Sequence, residues 1–369
     1  MIRIENVTGR RDLRRFIEYP YRKYRADPLW VPPLLISEWE KFDPKRNPFF
    51  HHARIDLYLA YREGRLVGRI AAIDDDNHNR THGDNLLFFG FFEAEDQTVA
   101  NELLATVEGR ARQLGRDVVR GPANPSMNDG SGFQIDAFDT VPYLMMPQNP
   151  SEYPAFVESA GYGKAMDLYA WHFNVEQGPS ERLSRLADRV RRRERLEVRP
   201  VNMKRLQREA GILKRVYNEA WERNWGFVKY TDAEFDHLVD ELKLILDPEL
   251  ALFLEIDGDI AAIAIAVPDV NQVLLGLRGR LLPFGILKLL NRNRLIDRAR
   301  LPILGVMPEY RNRGLELVLI DEIAKRGARR GLRQGECSWV LETNNAMIRG
   351  IEASGGRLYK TYRLYQKTM

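Results

Sequence analysis

Cysteine, histidine and long apolar runs are all scarce in this 369-residue chain. Its one cysteine, Cys337, excludes an intrachain disulfide and a thiolate metal cluster, and its apolar surroundings are typical of a small core residue. Of the six histidines, only His78 and His82 stand at the i, i+4 spacing of a helical metal-binding pair, and we expect no metal. No run approaches the ~20 apolar residues of a membrane span, and the N-terminal segment lacks the apolar core of a signal peptide. These absences predict a cytoplasmic protein.

Positive charge is in modest excess, with a formal net charge of +4 and an isoelectric point of about 9.0. Such a balance suits an anionic partner: a nucleotide, a phospholipid surface or a nucleic acid. No RNA- or DNA-binding motif is present, so we expect no nucleic-acid partner. The chain is long enough for two domains of roughly 150–200 residues.

One order of elements occurs twice along the chain: hairpin, strand, helix, strand, helix, strand. The two hairpins cover residues 54–73 and 249–268, and each turns at an acidic residue followed by glycine. A strand with a central glycine follows each hairpin, with Gly90 in the first copy and Gly305 in the second. The repeat predicts an α/β (α+β) fold of two tandem domains, each a mixed, mostly antiparallel twisted sheet flanked by helices.

The predicted boundaries give a first domain at 1–177, a basic linker helix at 178–200 and a second domain at 201–369. The linker has apolar residues on one helical face and seven arginines within 182–195. Two interpretations remain open: a solvated linker helix, or a basic amphipathic surface for anionic lipid.

An apolar strand leads into a helix in "PILGVMPEYRNRGLELVLIDEIAKRGARRG", residues 302–331. The pattern V-x-P-x-x-R-x-x-G between them resembles the acyl-CoA-binding motif of the GCN5-related N-acetyltransferase (GNAT) superfamily. A helix N-terminus and a glycine suit a diphosphate, and arginines add charge. The resemblance implies acetyl-CoA or a longer acyl-CoA as co-substrate. It assigns the donor-binding residues Val306, Met307, Arg311, Asn312, Arg313, Gly314 and Leu315, together with Asn344 in a later family-like segment.

Two positions depart from the family pattern. Glu316 stands where the family prefers glycine or alanine, so its carboxylate should point away or pair with Arg311 or Arg313. Ile351 stands where the family often has a tyrosine that serves as general acid. The corresponding first-copy loop, "FFEAEDQTVANELL", has neither glycine nor arginine and should not hold a coenzyme.

Transfer of an acyl group to an amine needs a base, and Glu342 at the end of a strand is our first candidate. It could equally be a surface acid that caps the next helix. Tyr359 and Tyr362 are candidates for the general acid, or packing residues of the terminal strand. Backbone N–H groups at Val306–Met307 match the position that polarises the carbonyl in the family.

Three polar or aromatic clusters are candidates for the acceptor site, with Asx-turn chemistry as the alternative explanation. If they converge, the acceptor binds in a cleft between the domains. A further segment, 280–294, is apolar with basic ends and could be a packed helix, a cover for a long acyl chain or a lipid contact. The candidate substrate-binding residues are Asn124, Asn128 and Asp129; Trp221, Asn224 and Trp225; and Asp269 and Asn271.

The resemblance implies an acyl-CoA-dependent N-acyltransferase that acts on a primary amine, with a small-molecule or lipid acceptor and peripheral membrane contact as an open possibility. A more specific alternative is a long-chain N-acyltransferase of sphingoid amines, like bacterial ceramide synthases. Two other classes stay open: a degenerate, non-catalytic binding protein of the same fold, and an aminoacyl-tRNA-dependent transferase.

Overall fold

The structure, a computed structural model, describes residues 1–280, 285 and 292–369. Most of the segment 280–294, for which three interpretations were open, lies outside the described residues. The chain forms two compact units. Unit 1 comprises Met1–Leu168, Leu274–Gly285 and Lys360–Met369, and unit 2 comprises Tyr169–Val273 and Ile286–Tyr359. These units take segments from separate parts of the chain, whereas the domains predicted from sequence are contiguous; the predicted boundaries stay a prediction.

The strands of unit 1 are β1 Ile2–Asn6, β2 Ala53–Arg62, β3 Arg65–Asp75, β4 Leu86–Ala94 and β5 Val118–Gly121, with three short strands, β6 Ala123–Asn124, β7 Gly130–Ser131 and β8 Phe133–Gln134. In the sheet, β1 to β5 lie in sequence order and the C-terminal strand pairs with β5. Of these pairings between described strands, only β4–β5 is parallel. The helices are Arg10–Lys23, Leu35–Lys41, Asp76–His82, Gln97–Gln113 and Tyr153–Ser159, and Pro48–His51 is a 3₁₀ turn.

The strands of unit 2 are β10 Leu196–Pro200, β11 Ala251–Ile256, β12 Asp259–Pro268, β13 Arg298–Val306 and β14 Gln334–Leu341. They repeat the arrangement of unit 1, and among these described strands one pair, β13–β14, is parallel. The helices are Glu181–Arg193, Leu206–Trp221, Asp232–Leu242, Leu315–Arg329 and Asn345–Ala353, with short helical turns at Asn271–Leu274, Arg292–Leu295, Met203–Arg205, Pro248–Leu250 and Pro308–Tyr310. Two long strands, β9 Gly163–Asn174 and β15 Arg357–Thr368, contribute residues to both units.

The two predicted hairpins are confirmed, and they share one turn geometry. Glu63 and Gly64 both have positive φ, as do Asp257 and Gly258. Two successive residues with positive φ make the tight two-residue turn whose twist matches that of antiparallel strands. The tandem α/β architecture predicted from the repeat is therefore confirmed in both halves of the chain.

Local sequence explains where several helices begin. Asp96 accepts the Val99 N–H at the start of Gln97–Gln113, and Thr231 and Glu234 form a reciprocal capping box for Asp232–Leu242. Each helix then buries an apolar stripe on its sheet, as Gln97–Gln113 does with Val99, Leu103 and Val107.

The basic helix Glu181–Arg193 is a packed element of unit 2. Leu183, Ala187 and Val190 are buried against Leu315 and Val318 of the helix Leu315–Arg329. Ser184 Oγ donates to Asp321 Oδ1 at 2.9 Å across the same contact. One face of the helix therefore belongs to the core of unit 2, and its role as a linker stays a prediction.

Candidate active site

The two parallel strands of unit 2 separate part-way along their length. The ladder between β13 and β14 ends at the pair Leu301↔Cys337. β13 continues to Val306 and β14 to Leu341, and across these described residues no ladder pair joins the two strands. We call the resulting opening between the carboxyl ends of β13 and β14 the strand splay.

The backbone of Val306 faces the strand splay. The Met307 N–H donates to the Ala261 carbonyl of the adjacent strand region at 2.9 Å, and Val306 lies opposite Ala262. This register makes Val306 and Ala262 a non-hydrogen-bonded pair, so the Val306 N–H points away from β12. Of the two amides predicted to polarise a carbonyl, Met307 uses its own in the sheet, and Val306 directs its N–H toward the splay.

A left-handed glycine opens the helix that follows. Gly314 has φ +79° and is the N-cap of Leu315–Arg329. A Cβ at this position would lie 3.2 Å from Val190 Cγ2, so only glycine fits without a shift. Asn312 also has positive φ and is exposed in the same loop. The first N–H groups of this helix, with Leu315 buried beneath them, carry the partial positive charge of a helix N-terminus, which favours an anion.

The two predicted arginines of the loop make intramolecular contacts. Arg311 Nη2 donates to the Ala220 carbonyl at 3.0 Å, at the C-terminal end of Leu206–Trp221. Arg313 pairs with Glu194 at 3.4 Å and stacks on the Tyr310 ring. Arg311 therefore ties the loop to a helix end, and Arg313 stays half-exposed beside it.

Glu316 is an acid in the first turn of this helix. Its side chain lies against the helix Asn345–Ala353, with Cγ 3.5 Å from the position of a Cβ on Gly350. Burial raises the pKa of the Glu316 carboxyl, and hydrogen bonding to the backbone opposes that rise.

The segment after β14 is arranged by helix capping and packing. Glu342 directly follows β14 and is half-buried. Asn344 is the N-cap of Asn345–Ala353, and its Oδ1 accepts the Met347 N–H at 3.2 Å. Ile351, at the family's tyrosine position, is fully buried with Trp171 and Cys337. Its role is packing.

A buried polar network lies where the β13–β14 ladder ends. Arg300 and Glu336 face each other in register on the two strands. Arg300 Nε donates to Ser338 Oγ at 2.9 Å, and Ser338 Oγ donates to Glu336 Oε1 at 2.5 Å. The Tyr359 hydroxyl donates to the other oxygen of Glu336. A carboxylate is thus held by two hydroxyls and a guanidinium at the base of the strand splay.

Of the residues in this network, the sequence analysis predicts Tyr359 as a site residue but not Arg300, Glu336 or Ser338. The signal was present as polar residues at alternate positions in "QGECSWVLE", which place Gln334, Glu336 and Ser338 on one face of β14. Tyr362, the other predicted tyrosine, is fully buried in unit 1 and pairs with Gln134 of β8.

The aromatic candidate Trp221 lies at the strand splay. Its ring is so close to β13 that a Cβ on Gly305 would lie 2.5 Å from Trp221 Cζ3, and Gly305 precedes Val306. Trp221 also stacks on Tyr217. Asn224 donates its backbone N–H to the Trp221 carbonyl at 2.8 Å, and Trp225 follows at a half-buried position.

The predicted pair Asp269 and Asn271 is buried at the end of β12. Asp269 is ion-paired with Arg298 at 2.7 Å, and the Asn271 N–H donates to Asp269 Oδ1 at 3.3 Å. Arg298 lies two residues before Arg300 on the same face of β13, so Asp269 belongs to the polar side of this sheet.

The splay of unit 1 is filled by its own loop. Its parallel ladder ends at Phe88↔Arg120, and a Cβ on Gly90 would lie 1.8 Å from the Ala123 carbonyl oxygen. The Phe91 N–H donates to Asn124 Oδ1 at 2.5 Å. Phe91 follows Gly90 as Val306 follows Gly305 in unit 2. The Asn124 carboxamide therefore occupies, in unit 1, the place that Val306 faces in unit 2.

The other residues of this loop are linked to one another. Asn124 Nδ2 donates to the Gly130 carbonyl at 2.8 Å. Ser126 Oγ donates to Asp129 Oδ2 at 2.6 Å and accepts the Asn128 N–H at 3.1 Å. These bonds give the Asx-type and serine-centred turns that were the alternative explanation for this cluster.

Unit 2 also contains an apolar cavity of about 40 Å³ between two helices and the sheet. Its wall includes Leu206 and Leu213 of one helix, Leu242 of the other, and Phe253, Ile263 and Ile265 of β11 and β12.

Cys337 is buried, and burial raises the pKa of its thiol to about 12, which makes it a core residue. Among the described residues, no group of three acidic, histidine or cysteine side chains could hold a metal ion. In the same part of the chain, no helix has the length and apolar character needed to span a bilayer.

Comparison with known proteins identifies the family. The chain is 37% identical to the bacterial ceramide synthase of Caulobacter vibrioides, over 97% of this chain and 95% of that protein. It is 35% identical to protein YghO of Escherichia coli, over 99% and 95%. A tandem GNAT protein from the clavulanic acid biosynthesis pathway superposes with a TM-score of 0.59 at 12% identity, over 100% of this chain and 98% of that one. No protein-family model matches.

The chain belongs to the family of the bacterial ceramide synthase and protein YghO. A GNAT protein of Sphaerobacter thermophilus shares the fold over 100% of this chain and 95% of its own, with a TM-score of 0.54 at 13% identity. The similarity to the ceramide synthase supports an N-acyltransferase in general, and the tandem GNAT fold agrees with the repeated sheet, the strand splay and the glycine-headed helix of unit 2.

Proposed function

We propose that this chain is an acyl-CoA-dependent N-acyltransferase that binds its donor in unit 2 and transfers a long acyl group to a sphingoid-type amine. The observation that carries the proposal is the 37% identity to a bacterial ceramide synthase over 97% of the chain. GNAT structures at 12–13% identity support the fold alone.

The geometry of unit 2 fits a CoA-type donor at two points. Val306 directs a backbone N–H into the strand splay, and Gly314 heads a helix whose N–H groups favour a diphosphate. Arg313, half-exposed beside the loop, adds a cation. The fit is incomplete at Glu316, because its carboxylate lies in the first turn of the same helix.

The donor supplies an activated acyl thioester, and the residues of the chain supply polarisation and proton transfer. The Val306 N–H is placed to stabilise negative charge on a carbonyl oxygen in the splay. The attacking amine must lose a proton. We assign this role to Glu336 and Tyr359, which share a hydrogen bond at the base of the splay, and keep Glu342 as the second candidate for the base. Arg300, 3.7 Å from Glu336, balances the charge of the buried carboxylate.

An alkyl substrate needs an apolar surface in addition to these polar groups. The cavity behind β11 and β12 supplies one, since its wall is made almost entirely of aliphatic and aromatic side chains. Trp221 adds a flat aromatic wall beside Val306. The cavity, at about 40 Å³, is too small for a long alkyl chain, and the aromatic wall of Trp221 beside Val306 is the feature that favours an apolar substrate.

A second candidate function is a non-catalytic binding protein of the same fold. Glu316, an acid in the first turn of the helix Leu315–Arg329, and Ile351, which replaces the family's tyrosine with a packing residue, favour this alternative.

Product analysis tests the proposal directly. The purified protein is incubated with palmitoyl-CoA or acetyl-CoA and a sphingoid amine. The released CoA thiol is measured in a colorimetric thiol assay, and the amide product is measured by mass spectrometry. We expect thiol release that depends on the amine, an N-acyl product, and preference for the long chain. Preference for acetyl-CoA would contradict the long-chain assignment, and absence of both product and donor binding would favour the binding protein.

The role of Tyr359 is tested in the same assay. Tyr359→Phe should lower kcat by about 10²-fold with little change in KM, because it removes a proton-transfer group and leaves the shape intact. It should also change the pH profile of kcat. Tyr365→Phe is the matched control, since Tyr365 is a buried tyrosine of the same strand that donates to Glu158 at 2.8 Å in unit 1. Equal kcat values for the two variants would refute the assignment.

A further inference from the structure

The helix Glu181–Arg193 has an occupied apolar face. Leu183, Ala187 and Val190 are buried in the core of unit 2, and Arg191 pairs with Asp321 at 2.8 Å on the flank of that contact. The helix is thus held by unit 2 and has no apolar stripe left with which to enter a membrane.

The outer side of this helix carries a row of arginines. We call this row the arginine stripe: Arg182, Arg185, Arg189, Arg192 and Arg193. These residues stand at positions i, i+3, i+7, i+10 and i+11, and a turn of about 100° per residue places them within one arc of about 100° around the helix axis. All five are exposed, and about 16 Å of helix separates the first from the last.

The stripe carries charge that the chain itself leaves largely uncompensated. Arg185 pairs with Glu181 at 3.2 Å, and Arg193 with Glu194 at 3.2 Å. In the part of the chain that the structure describes, no ion pair neutralises Arg182, Arg189 or Arg192. Separate arginines held in the open raise the free energy of the folded chain through mutual repulsion. An external layer of anions would remove that cost.

The C-terminal end of the stripe touches residues 307–314, the segment between β13 and the helix Leu315–Arg329, which we call the donor loop. Arg193 Nη2 donates to the Arg313 carbonyl at 2.5 Å, and Val190, beneath the stripe, lies 3.2 Å from the position of a Cβ on Gly314. The stripe and the loop therefore form one continuous basic surface of unit 2.

We propose that the arginine stripe docks this protein on an anionic phospholipid bilayer. A single phosphate group is bound by a few side chains that converge on it, whereas a straight row of five exposed cations over about 16 Å matches a plane of many phosphates. Docking brings the donor loop to the surface in which long-chain substrates partition; this consequence, unlike the docking itself, rests on the proposed function.

Vesicle binding by the full-length protein tests the proposal without any substrate. The probe is phosphatidylcholine vesicles with and without phosphatidylglycerol, and bound protein is measured by co-sedimentation. We expect binding only to the vesicles with phosphatidylglycerol, and loss of binding as salt is raised. The variant Arg182→Gln, Arg189→Gln, Arg192→Gln should bind about 100-fold more weakly, since each arginine near a charged bilayer contributes about fivefold.

A control variant removes the same charge elsewhere. Arg11→Gln, Arg22→Gln, Arg25→Gln changes three exposed arginines of unit 1 and should bind the anionic vesicles as the wild type does. The proposal is overturned if the wild type ignores anionic vesicles or if both triple variants lose binding equally. A different result also overturns it: the stripe variant still binds vesicles, but binds CoA more weakly and binds 3′-dephospho-CoA as the wild type does. This result would mean that the stripe binds the 3′-phosphate of the nucleotide. If the wild type binds anionic vesicles but forms no amide, the docking proposal stands and the proposed function is wrong.

Discussion

Glu316 decides, at the scale of one residue, how the donor loop of unit 2 differs from the family pattern. The sequence predicted that its carboxylate would point away from the loop or pair with Arg311 or Arg313. In the structure the Glu316 side chain lies against the helix Asn345–Ala353, while Arg311 and Arg313 bind other partners. An anion thus already lies at the end of the helix that would receive a diphosphate, and the donor must compete with it.

Glu316→Gln should therefore bind acyl-CoA about two- to fivefold more tightly at neutral pH, the effect of one charge at a helix N-terminus. Because burial raises the pKa of Glu316, the carboxyl becomes neutral as the pH falls through that raised value. Wild-type affinity should then rise relative to that of Glu316→Gln. Calorimetric titration at several pH values measures this.

Glu309→Gln is the control, since Glu309 is an exposed acid in the turn before the loop. If Glu309→Gln increases the affinity for acyl-CoA as much as Glu316→Gln does, the increase comes from the net charge of the protein. The position of Glu316 at the helix N-terminus would then not explain it.

At the scale of elements, the two strand splays are the most informative comparison. In unit 2 the Val306 N–H faces the opening, and in unit 1 the equivalent N–H, that of Phe91, is bound by Asn124. The sequence predicted that the first copy holds no coenzyme because its loop lacks glycine and arginine. The structure adds a second reason, since the residues Ala123 and Asn124 fill the space beside Gly90.

Gly90→Ala should destabilise the protein by about 3 kcal/mol, the upper end for overpacking, because the new methyl group meets a backbone carbonyl that cannot rotate away. Gly211→Ala is the matched control in the helix Leu206–Trp221, where a Cβ has no neighbour within 4 Å. It should stabilise by about 0.5–1 kcal/mol. Urea unfolding of both variants gives the comparison, and a Gly90→Ala protein as stable as wild type would mean that the splay of unit 1 is not filled.

Sequence reasoning succeeded where the signal is local. The hairpin turns at Glu63-Gly64 and Asp257-Gly258 need only two residues with positive φ, and Gly314 needs only its place at the start of a helix. It failed where partners come from distant strands. Glu336 and Ser338 look like ordinary strand residues until Arg300 and Tyr359 are brought beside them. The bond that Asn124 accepts from Phe91 also depends on tertiary structure, and a role for Asn124 in the substrate site stays a prediction.

At the scale of the whole molecule, the chain is a duplicated fold whose copies have diverged in opposite directions. Unit 1 has closed its splay with its own loop, and unit 2 has kept an open splay, a glycine-headed helix and a buried polar network. The account therefore predicts one donor site for each chain, although the fold occurs twice.

Calorimetric titration of palmitoyl-CoA into the wild type and into Gly314→Asp tests this claim most directly, with Gly331→Asp as control. Gly331 also has positive φ, at the other end of the same helix, and open space around it. We predict one site per chain in the wild type, at least about tenfold weaker binding in Gly314→Asp because a new carboxylate faces the diphosphate, and unchanged binding in Gly331→Asp. Two sites per chain, or a Gly314→Asp protein that folds and binds as the wild type does, would contradict the account.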